Sequence, residues 1–229
     1  MIPGETELGF SDLPESLAVF PLSGVLLLPR AQLPLNIFEP RYLAMVEDAL
    51  GAGRMFAMVQ PDPALPRGEN GPGLFRVGCL GRLTSFSETE DGRYLITLTG
   101  LIRFEIVEEV EMIRGYRRVR GVMRRFAADL DEAPAKGGID RVALLDALRS
   151  YFSRQGFDAN WESIDAMADQ ALVSSLAMVC PFDPLEKQAL LEAPSLADRA
   201  ETLRTLLCID THEPPCDPDA EPPHRRMAS

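Results

Sequence analysis

Histidine and lysine are scarce in this 229-residue chain, and their positions exclude several kinds of catalysis. The two histidines, His212 and His224, both lie in the last 19 residues, so the rest of the chain has no imidazole for a serine, cysteine or zinc mechanism. Neither lysine, Lys136 or Lys187, follows a glycine, and the GxxxxGK loop of P-loop ATPases is therefore missing. We expect a protein that is not an enzyme and that needs no cofactor.

Disulfide, zinc-ribbon and membrane signals are missing as well. The four cysteines, Cys79, Cys180, Cys208 and Cys216, form no CxxC pair, and we interpret them as free thiols in a reducing cytosol. The first ten residues, MIPGETELGF, are acidic where a secretory signal needs a basic flank, and no apolar run approaches the ~18 residues of a membrane span. We therefore expect a cytoplasmic protein with no membrane partner.

Acidic side chains outnumber basic ones, but the excess lies in the second half of the chain. The formal net charge is −12. Residues 16–125 carry 14 basic and 12 acidic side chains, whereas residues 126–210 carry 7 basic and 15 acidic ones. Because an acidic chain repels phosphate backbones and anionic lipids, the composition argues against nucleic acid or a membrane as the main partner.

The first half of the chain has the pattern of a β-rich lobe. Short β-branched and aromatic runs broken by Gly, Pro and Asp predict strands at 17–20, 25–28, 33–38, 55–60, 75–87, 94–99, 102–110 and 116–123. Asp91-Gly92 favours a tight hairpin, and the Pro- and Gly-rich stretch at 61–73 predicts a long surface loop. Many short strands at regular spacing predict a closed or nearly closed barrel.

One helix is predicted within this β-rich region. Pro40 fits the first turn of a helix, where a missing N–H breaks no hydrogen bond, and Gly51 fits its end. Apolar residues follow Pro40 at helical spacings of three and four: Leu43, Val46 and Leu50.

The period of the apolar residues changes to about 3.6 after residue 138, which predicts about four helices packed as a small antiparallel bundle. Asp183, Pro184 and Glu186 form the signature of a capped helix start, and Ser195 with Asp198 repeats it. Two apolar stripes are predicted to face the core. They are Val142, Leu145, Leu148 and Phe152 in the first helix, and Ile164, Ala168, Leu172, Ser175 and Val179 in the second.

Two motifs resemble the amino-terminal substrate-binding domain of Lon proteases, and they occur in the order expected for that family. The first comprises FPL at 20–22, LLP at 27–29, LPL at 33–35 and IFEPRY at 37–42. The second comprises SLAM at 175–178 followed by PFDPLEKQALLE at 181–192. The resemblance spans roughly residues 16–208. Where a Lon protease continues into its ATPase and peptidase, this sequence ends in THEPPCDPDAEPPHRRMAS, and we expect a stand-alone protein.

The resemblance implies an α+β fold in which a PUA-like β-barrel lobe precedes a small α-helical bundle lobe. We predict an N-terminal arm at 1–15, the barrel lobe at 16–126, a linker at 127–138, the helical lobe at 139–209, and a disordered, Pro-rich tail at 210–229. The tail holds five prolines and no apolar period. Its residues His212, Cys216 and His224 could join Cys208 as zinc ligands, but their spacings fit no standard finger, and we expect no metal.

The resemblance also implies a recognition module for unfolded or degron-bearing protein segments, working alone or with a separate protease or chaperone. Such a module needs an apolar groove with a polar rim. We predict this groove where the 38–45 segment meets the barrel, with Phe38, Tyr42 and Met45 as anchors. Glu39 and Arg41 are then either a ligand-facing ion pair or a structural pair that holds the helix against the barrel.

The alternative function is nucleic-acid binding by a PUA-like protein through its arginine-rich strand at 114–125. That strand carries six arginines within twelve residues: Arg114, Arg117, Arg118, Arg120, Arg124 and Arg125. The alternating apolar residues suggest instead that the arginines form the solvated face of one strand. The acidic residues just before it are then their partners: Glu105, Glu108, Glu109 and Glu111.

Overall fold

The computed structural model describes residues 9–131 and 138–210, so residues 1–8 of the predicted arm, 132–137 of the linker and 211–229 of the tail lie outside it. The strands are β1 (Ser16–Pro21), β2 (Gln32–Ile37), β3 (Met55–Val59), β4 (Val77–Glu88), β5 (Tyr94–Ile113) and β6 (Tyr116–Val122). The helices are α1 (Pro40–Gly51), α2 (Arg141–Gln155), α3 (Trp161–Ala166), α4 (Asp169–Val179), α5 (Pro184–Glu192) and α6 (Leu196–Asp210). Short 3-10 helices lie at Phe10–Asp12 and Arg124–Leu130.

The strands form one sheet whose pairings close into a ring. β5 pairs with β4, β4 with β3, β3 with β1, β1 with β6, and β6 again with β5. The β1–β3 pairing is parallel and the others are antiparallel. β2 pairs with the first part of β5 and lies outside this ring. The α+β class is confirmed, and the ring agrees with the expected barrel.

Two strand predictions were wrong. The candidates at 94–99 and 102–110 are parts of the single strand β5, because extended backbone continues through Gly100. The run at 25–28 is not a strand. Leu26, Leu27 and Leu28 are buried in the core of the barrel as a loop, so burial and not strand pairing explains this apolar run.

The loop before β2 crosses β5 at Gly100. A Cβ on Gly100 would lie 2.1 Å from the main-chain oxygen of Leu28, so the close approach requires glycine. The Arg30 N–H donates to Gly100 O at 2.8 Å, and the Gly100 N–H donates to Ala31 O at 2.9 Å. The entry into β2 is therefore fixed by main-chain bonds to β5.

Helix α1 begins at Pro40 and ends at Gly51, as predicted. Its predicted apolar face is only partly correct, since Val46 is buried whereas Leu43 and Leu50 are partly exposed. The residues that α1 buries are Tyr42, Ala44, Met45, Val46 and Ala49.

Among the residues that the structure describes, five α-helices, α2 to α6, follow the strands where about four were expected. The capping box of α5 is present, with Asp183 at the N-cap and Glu186 at the third position, and α2 ends at Gly156 in the left-handed conformation. Ser195 Oγ accepts the Asp198 N–H at 3.1 Å, as its capping signature predicts. Within residues 9–131 and 138–210, no helix combines the length and apolarity that crossing a membrane requires.

Part of each predicted apolar stripe faces solvent instead of the core. Val142 of α2, and Ser175 and Val179 of α4, are exposed. The backbone is extended at Met167 and Ala168, which separates α3 from α4. A helical spacing counted from Ile164 therefore does not continue into α4. The buried face of α4 instead consists of Leu172, Val173, Ser174, Leu176 and Ala177.

Polar side chains join the barrel to helix α5. Gln60 of the barrel donates to Pro184 O at 3.1 Å and to Gln188 Oε1 at 3.3 Å, and Gln188 donates to Val77 O at 3.1 Å. Buried apolar residues of both parts belong to one continuous cluster. The division into a barrel lobe at 16–126 and a helical lobe at 139–209 stays a prediction.

A charged link between the two parts is the buried guanidinium group of Arg103 in β5, whose side chain is 5% exposed. It donates to both carboxylate oxygens of Asp129, at 2.9 and 2.8 Å, and to the main-chain oxygens of Leu191 and Ala193, at 3.0 and 2.7 Å. Nearby, burial and then the charge of Arg103 lower the pKa of Arg199 to about 10. One cation thus fixes the carboxyl end of α5 to β5.

Replacing Arg103 tests this link. Arg103→Met leaves the Asp129 carboxylate buried without its partner, and we expect the free energy of unfolding to fall by about 3–5 kcal/mol in urea titrations. The control is Arg93→Met, which removes the exposed pair with Asp91 and is expected to leave the urea midpoint unchanged. Equal effects of the two substitutions would contradict the assigned role of Arg103.

A second stability prediction concerns the crossing at Gly100. Gly100→Ala places a methyl group against Leu28 O, and we expect it to lower the free energy of unfolding by about 2–3 kcal/mol. Gly51→Ala is the control, because nothing lies within 4 Å of a Cβ there and alanine suits the end of a helix. A Gly100→Ala protein as stable as the Gly51→Ala protein would show that the crossing is looser than described.

Candidate functional site

Three residues of the predicted site lie on the surface at the junction of β2 and α1. The Phe38 side chain follows β2 and is 64% exposed. Glu39 is the N-cap of α1, and its carboxylate accepts from Arg41 Nε at 3.0 Å and from a terminal guanidinium nitrogen at 2.8 Å. Both side chains of this ion pair are nearly half exposed. The structure therefore places an open aromatic ring beside a solvated ion pair.

The other two predicted site residues lie beneath the surface. Met45 is fully buried, and the Tyr42 ring lies 4.3 Å from the Phe20 ring, between centroids. Burial raises the pKa of the Tyr42 hydroxyl. The Arg41 guanidinium lies 4.5 Å from the centre of the Tyr42 ring, which connects the surface group to the buried one. Tyr42 and Met45 therefore lie in the core, beneath the exposed residues Phe38 and Arg41.

Further apolar side chains surround the end of β2. Leu95 pairs with Asn36 across the β2–β5 ladder and is half exposed. By the alternation of strand side chains, Phe38 falls on the same face as Asn36 and Leu95. On the opposite face, the Tyr94 hydroxyl donates to Glu47 Oε1 at 3.2 Å, and burial followed by this bond raises its pKa. The hydrogen bond from Tyr94 anchors this end of the sheet to α1.

β2 presents an open edge. Among the described strands it is bonded to β5 and to no other. The exposed residues of β2 alternate along it: Gln32, Pro34 and Asn36. Such an edge offers main-chain hydrogen-bonding groups to a further strand.

An open cleft of about 440 Å³ lies at the other end of β2, between residues 29–32 and helix α4, hereafter the β2–α4 cleft. Its apolar lining comes from Pro29, Ala31, Ala168, Ala171, Met178 and Val179. Its polar lining comes from Gln32, Gln170, Ser174 and Ser175. Arg30 is the one charged residue among the described residues that line it.

Both walls of the cleft are fixed to the rest of the protein. Lys187 Nζ donates to Gly24 O at 2.9 Å and to Met178 O at 3.1 Å, so one buried ammonium group joins the loop that leads into β2 to the end of α4. Burial lowers the pKa of Lys187. Arg30 donates to the main-chain oxygen of Asp131. The cleft is therefore preformed.

The arginines of 114–125 are partly neutralised. Arg117 is buried and pairs with Glu109, Arg120 pairs with Glu108, and Arg114 pairs with Glu47 and Asp48 at 2.6 and 2.7 Å. Glu108 and Glu109 are two of the four acidic partners expected from the sequence. These pairs reduce the positive potential of the strand.

The sequence did not predict the β2–α4 cleft, because the helical spacing counted from Ile164 assigned Ser175 and Val179 to the core. Val179 is 81% exposed in the structure. A signal was present in the sequence, since Leu172, Val173, Leu176 and Ala177 define a buried face that excludes both residues. Among residues 9–131 and 138–210, no group of His, Cys, Asp and Glu has an arrangement that could hold a metal ion. The histidines considered as zinc ligands lie outside the described residues.

Comparison with known proteins agrees with this fold. Residues 16–208 match the family model of the ATP-dependent protease La (LON) substrate-binding domain. Lon protease 2 of Myxococcus xanthus is 25% identical over 204 residues, which cover 86% of this chain and 24% of that protein. Lon protease of Syntrophus aciditrophicus is 26% identical over 215 residues, which cover 88% and 25%. The chain spans about a quarter of the length of these two Lon proteases.

Two solved structures share the fold. The Lon N-terminal domain protein from Xanthomonas campestris has a TM-score of 0.56 and 23% identity, over 83% of this chain and 97% of its own. The N-terminal domain of the Mycobacterium avium complex Lon protease has a TM-score of 0.55 and 15% identity, over 84% and 98%. Because the family model matches most of the sequence, this chain belongs to the family of the ATP-dependent protease La (LON) substrate-binding domain.

Proposed function

We propose that residues 16–208 act as a non-catalytic recognition module for unfolded or degron-bearing protein segments. Membership in a family named for substrate binding supports this role. The observation that carries the proposal is the Phe38 side chain, an aromatic ring that is 64% exposed at the end of an open strand edge. We propose that any proteolysis or refolding of the bound segment is performed by a protease or chaperone on another polypeptide.

The surroundings of Phe38 suit an apolar anchor with a polar rim. Full burial of a phenylalanine side chain against a ligand contributes about 1.5–3 kcal/mol. Glu39 and Arg41 form the rim on one side, where two Arg41 nitrogens donate to one carboxylate oxygen of Glu39 and both side chains stay nearly half exposed. Tyr42 and Met45 hold α1 in the core directly after Phe38, so little ordering is needed when a ligand binds. In this proposal Phe38 contacts the ligand, and the buried pair positions it.

The role of Phe38 is testable with a permanently unfolded protein, prepared by reduction and carboxymethylation and labelled with a fluorophore. We expect the Phe38→Ala protein to bind this unfolded protein about tenfold more weakly in anisotropy titrations, because part of the apolar contact is lost. The control is Val142→Ala, which shortens an apolar side chain on α2 that is 71% exposed, and we expect the affinity of this protein to match that of the parent. Unchanged affinity in the Phe38→Ala protein would remove the anchor from the proposal.

The dependence of binding on salt separates apolar capture from binding to phosphates. Raising NaCl from 50 to 500 mM is expected to change the dissociation constant for the unfolded protein by less than about threefold, because apolar burial is not screened. A short single-stranded RNA measured in parallel is expected to bind more weakly at both concentrations. If the RNA binds better at low salt and loses affinity steeply as salt rises, the function belongs to the arginines of 114–125 and the proposal fails.

A further inference from the structure

We propose that this chain captures its ligand by strand addition, with an extended peptide segment paired to the open edge of β2 and an apolar side chain inserted into the β2–α4 cleft. The inference rests on the proposed function and defines the class of segment that is recognised. That segment has apolar side chains at alternate positions and an acidic side chain at the end nearest Arg30.

The direction of the main-chain groups along β2 follows from its ladder with β5. The Gly100 N–H donates to Ala31 O, so residue 31 directs its carbonyl toward β5. This direction alternates along an antiparallel ladder, so the main-chain N–H and C=O groups of Leu33, Leu35 and Ile37 also point toward β5. The main-chain groups of Gln32, Pro34 and Asn36 therefore face away from β5, toward the open edge.

Pro34 limits what this edge can bind. Proline has no N–H, and its position on the outward-facing set leaves the ladder with β5 intact. The edge then offers N–H donors at Gln32, two residues before Pro34, and at Asn36, two residues after it. A proline on an exposed edge hinders continuous sheet growth between copies. A short peptide that pairs at Gln32 and Asn36 is still accommodated.

The β2–α4 cleft provides a place for side chains of such a peptide. Gln32 belongs both to the open edge and to the lining of the cleft, so the two features are continuous. A volume of about 440 Å³ lies in the range of sites that enclose small ligands, about 300–1,000 Å³. From Gln32 to Phe38 an extended peptide spans about 20 Å at 3.3 Å per residue. One segment of about seven residues therefore reaches from the cleft to Phe38.

Charge selects the acidic end of the segment. The Arg30 side chain is exposed and bonds to the Asp131 main-chain oxygen, which carries no formal charge. Among the described residues that line the cleft, no carboxylate balances this guanidinium group. An aspartate or glutamate side chain of the ligand complements it in a bidentate arrangement.

The test of strand addition uses an eight-residue peptide, acetylated and amidated at its ends, with leucine at alternate positions and one glutamate. Binding to the full chain is measured by anisotropy of a fluorescent label, and each peptide amide is N-methylated in turn. Methylation removes the N–H donor of one amide and obstructs that edge of the peptide. We therefore expect the affinity to fall about tenfold for methylation at alternate amides and to change little at the amides between them. A flat profile, or equal loss at every amide, would overturn strand addition.

Two protein variants test the cleft. Ser175→Trp fills it from an exposed position of α4 and is expected to weaken the leucine peptide about tenfold, whereas Thr205→Trp, at an exposed position of α6, is expected to bind as the parent does. Circular dichroism of both proteins shows whether the fold persists. Parent-like binding by a folded Ser175→Trp protein would contradict insertion into the cleft.

The charge preference is tested by a double-mutant cycle of Arg30→Gln in the protein and glutamate to glutamine in the peptide. We expect the parent protein to prefer the glutamate peptide about threefold, and the Arg30→Gln protein to show no preference. If the unfolded protein binds but the methylation profile is flat, the proposed function stands and strand addition fails. If neither the unfolded protein nor the peptide binds, both proposals fail.

Discussion

The buried guanidinium group of Arg103 joins the β-sheet ring to the helices. The position of the helices relative to β2 depends on this junction. It donates hydrogen bonds to the buried carboxylate of Asp129, to the main-chain oxygen of Leu191 near the end of α5, and to that of Ala193 just beyond it. A buried cation with partners on both sides resists sliding of one part over the other, because displacement leaves a charge unpaired in the interior. Lys187 and Gln60 extend the same junction toward α4 and β2. Both walls of the β2–α4 cleft are thus tied to helix α5 through Lys187.

β2 has its open edge because the ring closes without it. β5 has 20 residues and pairs with three strands, and its first part carries β2 beyond the ring formed by the others. The crossing at Gly100 fixes where β2 begins, and the buried face of α1 fixes where it ends. The exposed Phe38 ring and the cleft are consequently held at opposite ends of one strand. This arrangement lets a single extended segment contact both.

Much of this fold was accessible from the sequence, because local signals specify local structure. Pro40 and Gly51 correctly marked the ends of α1, the Asp183–Glu186 signature marked the start of α5, and short alternating runs located most strands. The prediction divided β5 into two strands because a glycine within a strand pattern resembles a break. Gly100 instead allows the loop before β2 to cross β5 closely. Such tertiary contacts have no local signature.

The candidate site was less predictable than the fold, for a related reason. The predicted site residues lie close together in sequence, at 38–45, but the structure divides them between surface and core. Phe38, Glu39 and Arg41 lie on the surface. Consecutive helix residues point about 100° apart, so Tyr42 and Met45 turn into the core. The cleft was missed because its two walls are distant in sequence and because a helical phase counted from α3 does not continue into α4. The openness of β2 depends on which strands close the ring. Sequence periodicity does not determine this.

Amide hydrogen exchange in β2, measured by NMR with and without a saturating amount of an unfolded protein, tests the central claim most directly. The account predicts that the Gln32 and Asn36 amides exchange rapidly in the free protein and at least about tenfold more slowly in the complex, while Leu33 and Leu35 are protected in both states. Unchanged exchange at Gln32 and Asn36 in a saturated complex, with new protection elsewhere, would contradict recognition along this edge.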